Sequence, residues 1–158
     1  MSPDEAFVVQ LLKALETAGL EGVIVGMTAA ALQGAPVMTQ DVDLLVRDTT
    51  KNRQKLQTVA QVLGTGRAVA LTELANVVTL IGAALPVDIV FDHLPGGLSF
   101  ESVRSRSVKI AIGDCAATVA SLEDIIASKE AAGRPKDRAQ LPILRETIRV
   151  RDALRESK

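Results

Sequence analysis

Residues 23–46 read VIVGMTAAALQGAPVMTQDVDLLV, and this run says more about the fold than any other part of the chain. Val23–Val25 is short, apolar and β-branched, which predicts a buried strand that ends at Gly26. A second helix is expected over about residues 28–33, closed by Gly34, and Asp41 to Val46 is expected to form a strand. The run therefore predicts strand, helix and strand, with a glycine at the first turn and two acids in the second strand.

The two acids, Asp41 and Asp43, lie two residues apart in that second strand. Side chains alternate along a strand, so both carboxylates should share one face, roughly 6–7 Å apart. Aspartate is depleted in strands, and a charge among apolar neighbours is costly to bury without a partner. A divalent cation is such a partner, because Mg²⁺ is bound by one or two carboxylates and substrate phosphates. Taken alone, the pair favours a plainer interpretation, in which Asp41 caps the strand and Asp43 faces solvent.

A third acid, Asp88, changes that balance. It lies between Val87 and Ile89 in a further apolar segment, 87–91, which predicts another strand. If the two strands are neighbours, three carboxylates converge on one site, which can hold two metal ions about 4 Å apart for in-line phosphoryl chemistry. Asp92 shares the face of Asp88 but lies near the strand end, and we interpret it as a turn residue.

The turn at Gly26 is a second candidate element of a site. Backbone N–H groups at the start of a helix can bind phosphate, assisted by the helix dipole. Gly26 would let the backbone approach a ligand closely, and Thr28 offers a hydroxyl. A lone glycine at a strand–helix turn is a weak signal, which gains weight here because it precedes the aspartate pair.

The rest of the chain predicts one mixed α/β domain over residues 1–158, with a core at about 20–115 and a helical C-terminal part at about 121–156. A capped helix is expected at Ser2-Pro3 and another over 51–63. Strands are expected at 67–71, 77–81 and 108–112, and their short spacing indicates hairpins and therefore a mixed sheet. Pro142 is expected to kink or split the last helix.

Composition excludes several classes of protein. The chain has 158 residues, 47% of them hydrophobic, and a net charge of −1, which argues against a bulk nucleic-acid-binding surface. Three Phe, no Tyr and no Trp leave little for base stacking. The single cysteine, Cys115, excludes an internal disulfide and is interpreted as a buried apolar residue, and His93 as a surface turn residue. No run reaches the roughly 18 apolar residues of a membrane span, and the acidic N-terminus is unlike a signal peptide, so a cytoplasmic location is expected.

Read together, Gly26-Met27, Asp41-Val42-Asp43 and Asp88 resemble the pattern of the nucleotidyltransferase superfamily: a Gly-Ser-type turn, then Asp-x-Asp, then a distal Asp or Glu. That superfamily includes DNA polymerase beta, kanamycin nucleotidyltransferase and the minimal nucleotidyltransferases of bacterial toxin–antitoxin systems. The small bacterial proteins are the most similar. The resemblance covers roughly residues 20–140 and extends to further segments, at 34–36, 39–44, 121–129 and 133–137.

The resemblance implies a nucleotidyltransferase fold, a mixed β-sheet flanked by helices with a C-terminal helical tail. It implies transfer of a nucleoside monophosphate from an NTP to a hydroxyl of a tRNA, protein or small molecule, with release of pyrophosphate. It also implies that Asp41, Asp43 and Asp88 bind Mg²⁺ or Mn²⁺, with Asp88 helping to deprotonate the hydroxyl. The nucleotide-binding residues that it implies are Gly26, Met27, Thr28, Lys129, Arg134 and Lys136. For Lys129, a side chain that merely snorkels at the edge of the core is an equal alternative.

Two departures from the family pattern fall on the nucleotide side. Met27 stands where the family has Ser or Gly, and Val37 stands where a basic residue often follows the proline. The alternative is therefore a catalytically inactive relative that binds a nucleotide, or a partner in a two-protein, toxin–antitoxin-like module. A partner protein or a homodimer is compatible with either reading. A phospho-acceptor receiver domain also uses an acidic pair, a distal Asp and a Lys, but it places the pair at the end of its first strand. In this chain a capped helix and a strand that ends at Gly26 come before the pair, so this alternative ranks below the others.

Overall fold

A computed structural model describes residues 1–65, 67–72 and 76–157, with residues 67–72 described by their backbone path alone. The helices are α1 (Pro3–Ala18), α2 (Gly26–Leu32), α3 (Thr50–Leu63), α4 (Phe100–Ser105), α5 (Leu122–Ala132) and α6 (Pro135–Glu156). The strands are β1 (Val23–Val25), β2 (Val42–Val46), β3 (Arg67–Thr72), β4 (Val77–Ile81), β5 (Val87–Phe91), β6 (His93–Leu94), β7 (Leu98–Ser99), β8 (Val108–Ile112) and β9 (Cys115–Val119).

Seven of these strands form one mixed sheet in the order β3-β4-β5-β2-β1-β9-β8, and β6 and β7 form a separate hairpin. β2 pairs with β5 in parallel, as does β1 with β9. The other pairings in the large sheet are antiparallel. The expected mixed α/β fold, with helices flanking the sheet and a helical C-terminus, is confirmed.

The helices pack in two groups. α1 contacts α3, whereas α5 contacts both α2 and α6. α1 begins where the sequence predicts, because the Ser2 hydroxyl accepts the Glu5 N–H and Pro3 occupies the first turn. The central strands β1 and β2 are almost wholly buried. They fix the positions of Gly26, which follows β1, and of Asp43, which lies within β2. None of the helices in the described ranges combines the length and the apolar run that crossing a bilayer requires.

Some local predictions are wrong. Pro142 does not split the last helix, because α6 is continuous and the neighbouring Leu141 and Leu144 anchor it in the core. The alternative, a kink at Pro142, stays a prediction. Cys115 is half-exposed rather than buried, because it follows the β8–β9 turn. The strand β9 and the short helix α4 were not predicted, although Gly113-Asp114 is a two-residue turn typical of a hairpin.

Candidate active site

The three acids meet where β2 and β5 lie side by side. The parallel register places Asp43 directly opposite Asp88, and Asp41 immediately precedes β2. One carboxylate oxygen from each of the three residues lies within 4.8 Å of the others. Asp41 is exposed and the other two are half-buried, so the cluster opens to solvent on one side. The three carboxylates therefore converge because β2 and β5 are neighbours, which could only be assumed from the sequence.

Like charges at this distance perturb one another. Burial raises the pKa of Asp43 to about 7, with further contributions from Asp41 and Asp88. Burial and the nearby Asp88 also raise the pKa of Asp41, against a lowering influence of Lys136 and Lys129. Without a counter-ion, the cluster is therefore most favourable when partly protonated. An all-carboxylate donor set of this kind suits hard cations such as Mg²⁺ or Mn²⁺, so the residues present fit the expected metal.

Gly26 is required by the position of Asp43. Its φ of +68° lies in the left-handed region, and an added Cβ would stand 2.5 Å from Asp43 Oδ2. Any side chain at this position would therefore displace the carboxylate. The absence of a side chain at Gly26 thus leaves room for the Asp43 carboxylate, and the expected contact of Gly26 with phosphate stays a prediction.

Thr28 supports the same acidic cluster through the backbone of Asp41. Its buried hydroxyl donates to the backbone carbonyl of Asp41 at 2.9 Å. The hydroxyl therefore fixes the backbone of Asp41, which leads into β2. The contact with phosphate that the resemblance implied stays a prediction. Met27 is half-buried and packs against the core while lining the cleft beside the acids.

Facing the acids is a group of cations organised by one buried carboxylate, Asp137, which is 1% exposed. Lys129 Nζ on α5 lies 3.4 Å from Asp137 Oδ1, and Arg134 Nε lies 2.7 Å from Oδ2. The Arg134 side chain donates to Asp137 and is the main cause that lowers the pKa of that carboxyl. The backbone N–H of Arg134 also donates to Asp137 and lowers the pKa further. Lys136 follows on the first turn of α6, and within the described residues it forms no ion pair. Lys129 is thus held by an acid at the cleft wall rather than snorkelling freely.

Both groups line a single cleft of about 1010 Å³. Of the predicted site residues, the cleft gathers all but Thr28, namely Gly26, Met27, Asp41, Asp43, Asp88, Lys129, Arg134 and Lys136. Beyond Asp88 the wall is largely apolar, with Val77, Val90, Leu94 and Pro95, and the exposed His93 stands at its rim. Asp92 lies outside the cluster: its φ is +66° and it accepts the Asp48 N–H, so it is a turn residue.

Two further residues of the site escaped the sequence interpretation. Asp137 is the first, and its signal in the sequence is Pro135 followed two residues later by an acid, which indicates a capping position. Thr79 is the one hydroxyl in the apolar strand β4, and it donates to Asp88 Oδ1 at 2.6 Å. A polar residue at a core-facing position of a strand was the available signal in its case.

Comparison with models of protein families gives a match that spans most of the chain. Residues 5–155 match the profile of a family described as a nucleotidyl transferase of unknown function (DUF2204). Among curated protein sequences, none matches significantly.

Solved structures share the architecture. The antibiotic-resistance factor ANT(2″)-Ia, solved in complex with adenylyl-2″-tobramycin, superposes with a TM-score of 0.65 at 15% identity, covering 99% of each chain. TM1012 of Thermotoga maritima, whose assignment as a nucleotidyltransferase is itself a prediction, gives 0.58 at 18% identity, covering 99% of this chain and 96% of that one. A similarly assigned H. pylori protein superposes with a TM-score of 0.53 at 17% identity, covering 82% of this chain and 59% of that one. At these identities the likeness establishes a common fold.

Proposed function

Because the chain belongs to this nucleotidyl transferase family, we propose that it moves a nucleoside monophosphate from an NTP to a hydroxyl of an acceptor. The observation that carries the proposal is the convergence of Asp41, Asp43 and Asp88 at the floor of the cleft. The family match supports nucleotidyl transfer in general. The metal, the residue roles and the acceptor are our proposals.

In the proposed reaction, the acceptor oxygen forms a bond to the α-phosphorus of the NTP while the bond from that phosphorus to the pyrophosphate oxygen breaks. Pyrophosphate leaves with the electron pair, and the acceptor proton passes to the Asp88 carboxylate. Asp41, Asp43 and Asp88 would hold Mg²⁺ or Mn²⁺, which when bound would neutralise charge on the phosphoryl oxygens. Catalysis would otherwise consist of positioning and charge stabilisation.

The cations opposite the acids are assigned to the triphosphate. Lys129 and Arg134 keep fixed positions because they share Asp137, and Lys136 adds a charge on the first turn of α6. Gly26 and Met27 also line the cleft, and we assign them to the phosphates as well. Thr28 would act on the reaction only through the backbone of Asp41.

For the acceptor, we propose a small-molecule hydroxyl as the first class to test, ahead of a tRNA or a protein. A cleft of about 1010 Å³ is at the upper end of the size of small-ligand sites, which are usually about 300–1,000 Å³. By analogy, ANT(2″)-Ia was solved with an adenylylated antibiotic. An acceptor approaching Asp88 from outside would rest on the apolar wall at Val77 and Val90.

The second candidate, an inactive nucleotide- or partner-binding relative, is favoured by Met27. Its side chain stands in the cleft where the family pattern has Ser or Gly, so it offers no hydroxyl and takes up space beside the phosphates. Pyrophosphate release, measured beside NTP binding, separates the two candidates, because the inactive relative would bind an NTP without releasing pyrophosphate.

The test is incubation with each α-labelled NTP, Mg²⁺ and a cell extract, divided into small-molecule, RNA and protein fractions. We expect label transfer by the wild-type protein and by Asp114→Asn, which removes an exposed acid far from the cleft. Asp43→Asn should lower the transfer rate by about 10² to 10³-fold, because metal-based charge stabilisation contributes several kcal/mol. Equal transfer by Asp43→Asn would contradict the role of Asp43, and no transfer from any NTP would favour the inactive relative.

A further inference from the structure

The strand β4 reads Val77-Val78-Thr79-Leu80-Ile81, and Thr79 is its single polar residue. Thr79 is only 5% exposed, so its hydroxyl is hidden from solvent. Valine has nearly the same shape and would fill this place without a polar atom. A buried hydroxyl is unfavourable unless it has a hydrogen-bond partner, so its presence calls for one.

That partner is Asp88. In the antiparallel register of β4 and β5, Thr79 stands directly opposite Asp88, and its hydroxyl donates to Asp88 Oδ1 at 2.6 Å. Asp43 stands opposite Asp88 on the other side, across β2. Asp43, Asp88 and Thr79 therefore form one row across three neighbouring strands. The row brings a hydrogen-bond donor to the acidic cluster from the side away from Asp43.

We propose that Thr79 is a positioning residue for Asp88, which holds this carboxylate in the orientation that presents it to the cation and to the acceptor hydroxyl. The inference rests on the proposed function. A half-buried carboxylate that lines a cleft can rotate about its side-chain bonds, whereas a short hydrogen bond to one of its oxygens fixes it. Metal-binding carboxylates and imidazoles are commonly oriented in this way, and loss of such a partner typically costs about 10–100-fold in metal affinity or activity.

The test uses the full chain and Mn²⁺ alone, with affinity measured by titration calorimetry in the absence of nucleotide. Thr79→Val removes the hydroxyl, and Thr79→Ser retains it. Thr147→Val is the matched control, because Thr147 is also buried, at 7% exposure, and donates at 2.7 Å to the Ile143 carbonyl within α6. We expect Thr79→Val to bind Mn²⁺ about tenfold more weakly. Thr79→Ser and Thr147→Val should stay within about twofold of the wild type, since both leave the Asp88 hydrogen bond in place.

With the acceptor substrate in hand, Thr79→Val should lower kcat more than it raises the KM for the NTP, and Thr79→Ser should restore kcat. Wild-type affinity for Mn²⁺ in Thr79→Val, or an equal loss in Thr147→Val, would overturn the role of Thr79 while leaving the proposed function intact. Absence of Mn²⁺ binding by the wild-type protein, both alone and with an NTP present, would overturn both, so the two failures are distinguishable.

Discussion

The two walls of the cleft carry opposite charges and differ in how those charges are balanced. On the sheet, Asp41, Asp43 and Asp88 crowd together, and the pKa of Asp43 rises to about 7 because of burial and its acidic neighbours. On the helices, Lys129 and Arg134 share the buried Asp137, whose pKa is lowered mainly by Arg134. The acidic wall is thus incomplete without a cation or protons, whereas the basic wall is already stable by itself. This difference supports our proposal that a metal binds on the sheet and that the helices hold the phosphates.

The largest effect is expected from a side chain added at Gly26, which would displace the Asp43 carboxylate. Gly26→Ala would place a Cβ 2.5 Å from Asp43 Oδ2 and would also strain a φ of +68°. We expect transfer activity to fall by about 10²-fold, because a displacement near 1 Å at a reacting centre can cost that much. Gly64→Ala is the control, since Gly64 has a φ of +72° with no atom near its added Cβ.

Both glycine variants should lose a similar free energy of unfolding, about 1–2 kcal/mol, from the left-handed backbone. Denaturant unfolding measures this loss, and NTP turnover measures the activity. If Gly64→Ala reduces turnover as much as Gly26→Ala, the effect is general destabilisation and the fit between Gly26 and Asp43 is unimportant.

A smaller effect is expected from breaking the balance of the basic wall. Asp137→Asn leaves Lys129, whose side chain is 14% exposed, without its anion and should destabilise the fold by about 2 kcal/mol. We expect kcat to fall about tenfold because both cations lose their anchor. The KM for the NTP should change less than about twofold, because the wall gains net positive charge while losing its alignment.

Asp124→Asn provides the comparison for that variant. Asp124 is likewise buried at the third position of a helix and pairs with an arginine, Arg106, outside the cleft. It should cost about 1–2 kcal/mol of stability with kcat unchanged. An unchanged kcat in Asp137→Asn as well would mean that the basic wall has only a structural role.

The smallest effect is a pH dependence of stability in the metal-free protein. A carboxyl whose pKa is about 7 in the folded state and near 3.8 when unfolded binds more protons in the folded state between those values. Its contribution therefore favours folding at low pH and is lost as pH rises through about 7. The raised pKa of Asp41 acts in the same direction.

Thermal unfolding at about pH 5.5 and about pH 8, with EDTA or with Mg²⁺, checks this prediction. Mg²⁺ should raise the Tm by several degrees near pH 8 and by less near pH 5.5, because protons already neutralise the cluster there. Asp43→Asn should remove most of the difference between the two pH values. A Mg²⁺ effect that is equal at both values would contradict the shared-charge account of the acidic wall.

The acidic wall could be predicted from the sequence because aspartates are rare in buried strands and their two-residue spacing fixes a common face. The pairing of β2 with β5 could not be predicted, since it joins residues about 45 positions apart through contacts that no local pattern records. Thr79 and Asp137 were missed for another reason. Each carries a local signal, a lone hydroxyl in an apolar strand and an acid after Pro135, but that signal does not show which side chain the residue contacts. The close approach of Gly26 to Asp43 could not be predicted either, because it depends on the pairing of β1 with β2. The expected contact of Gly26 with phosphate stays a prediction.

The central claim, that Asp41, Asp43 and Asp88 form a divalent-cation site beside bound triphosphate, is tested most directly by crystallography with Mn²⁺ and a non-hydrolysable NTP. The account predicts an anomalous manganese peak at about 2.0–2.3 Å from carboxylate oxygens of these residues, with the triphosphate extending toward Lys129, Arg134 and Lys136. The same soak of Asp43→Asn should show no peak or a much weaker one. A nucleotide bound elsewhere, or no manganese at the three carboxylates when the ion is saturating, would contradict it.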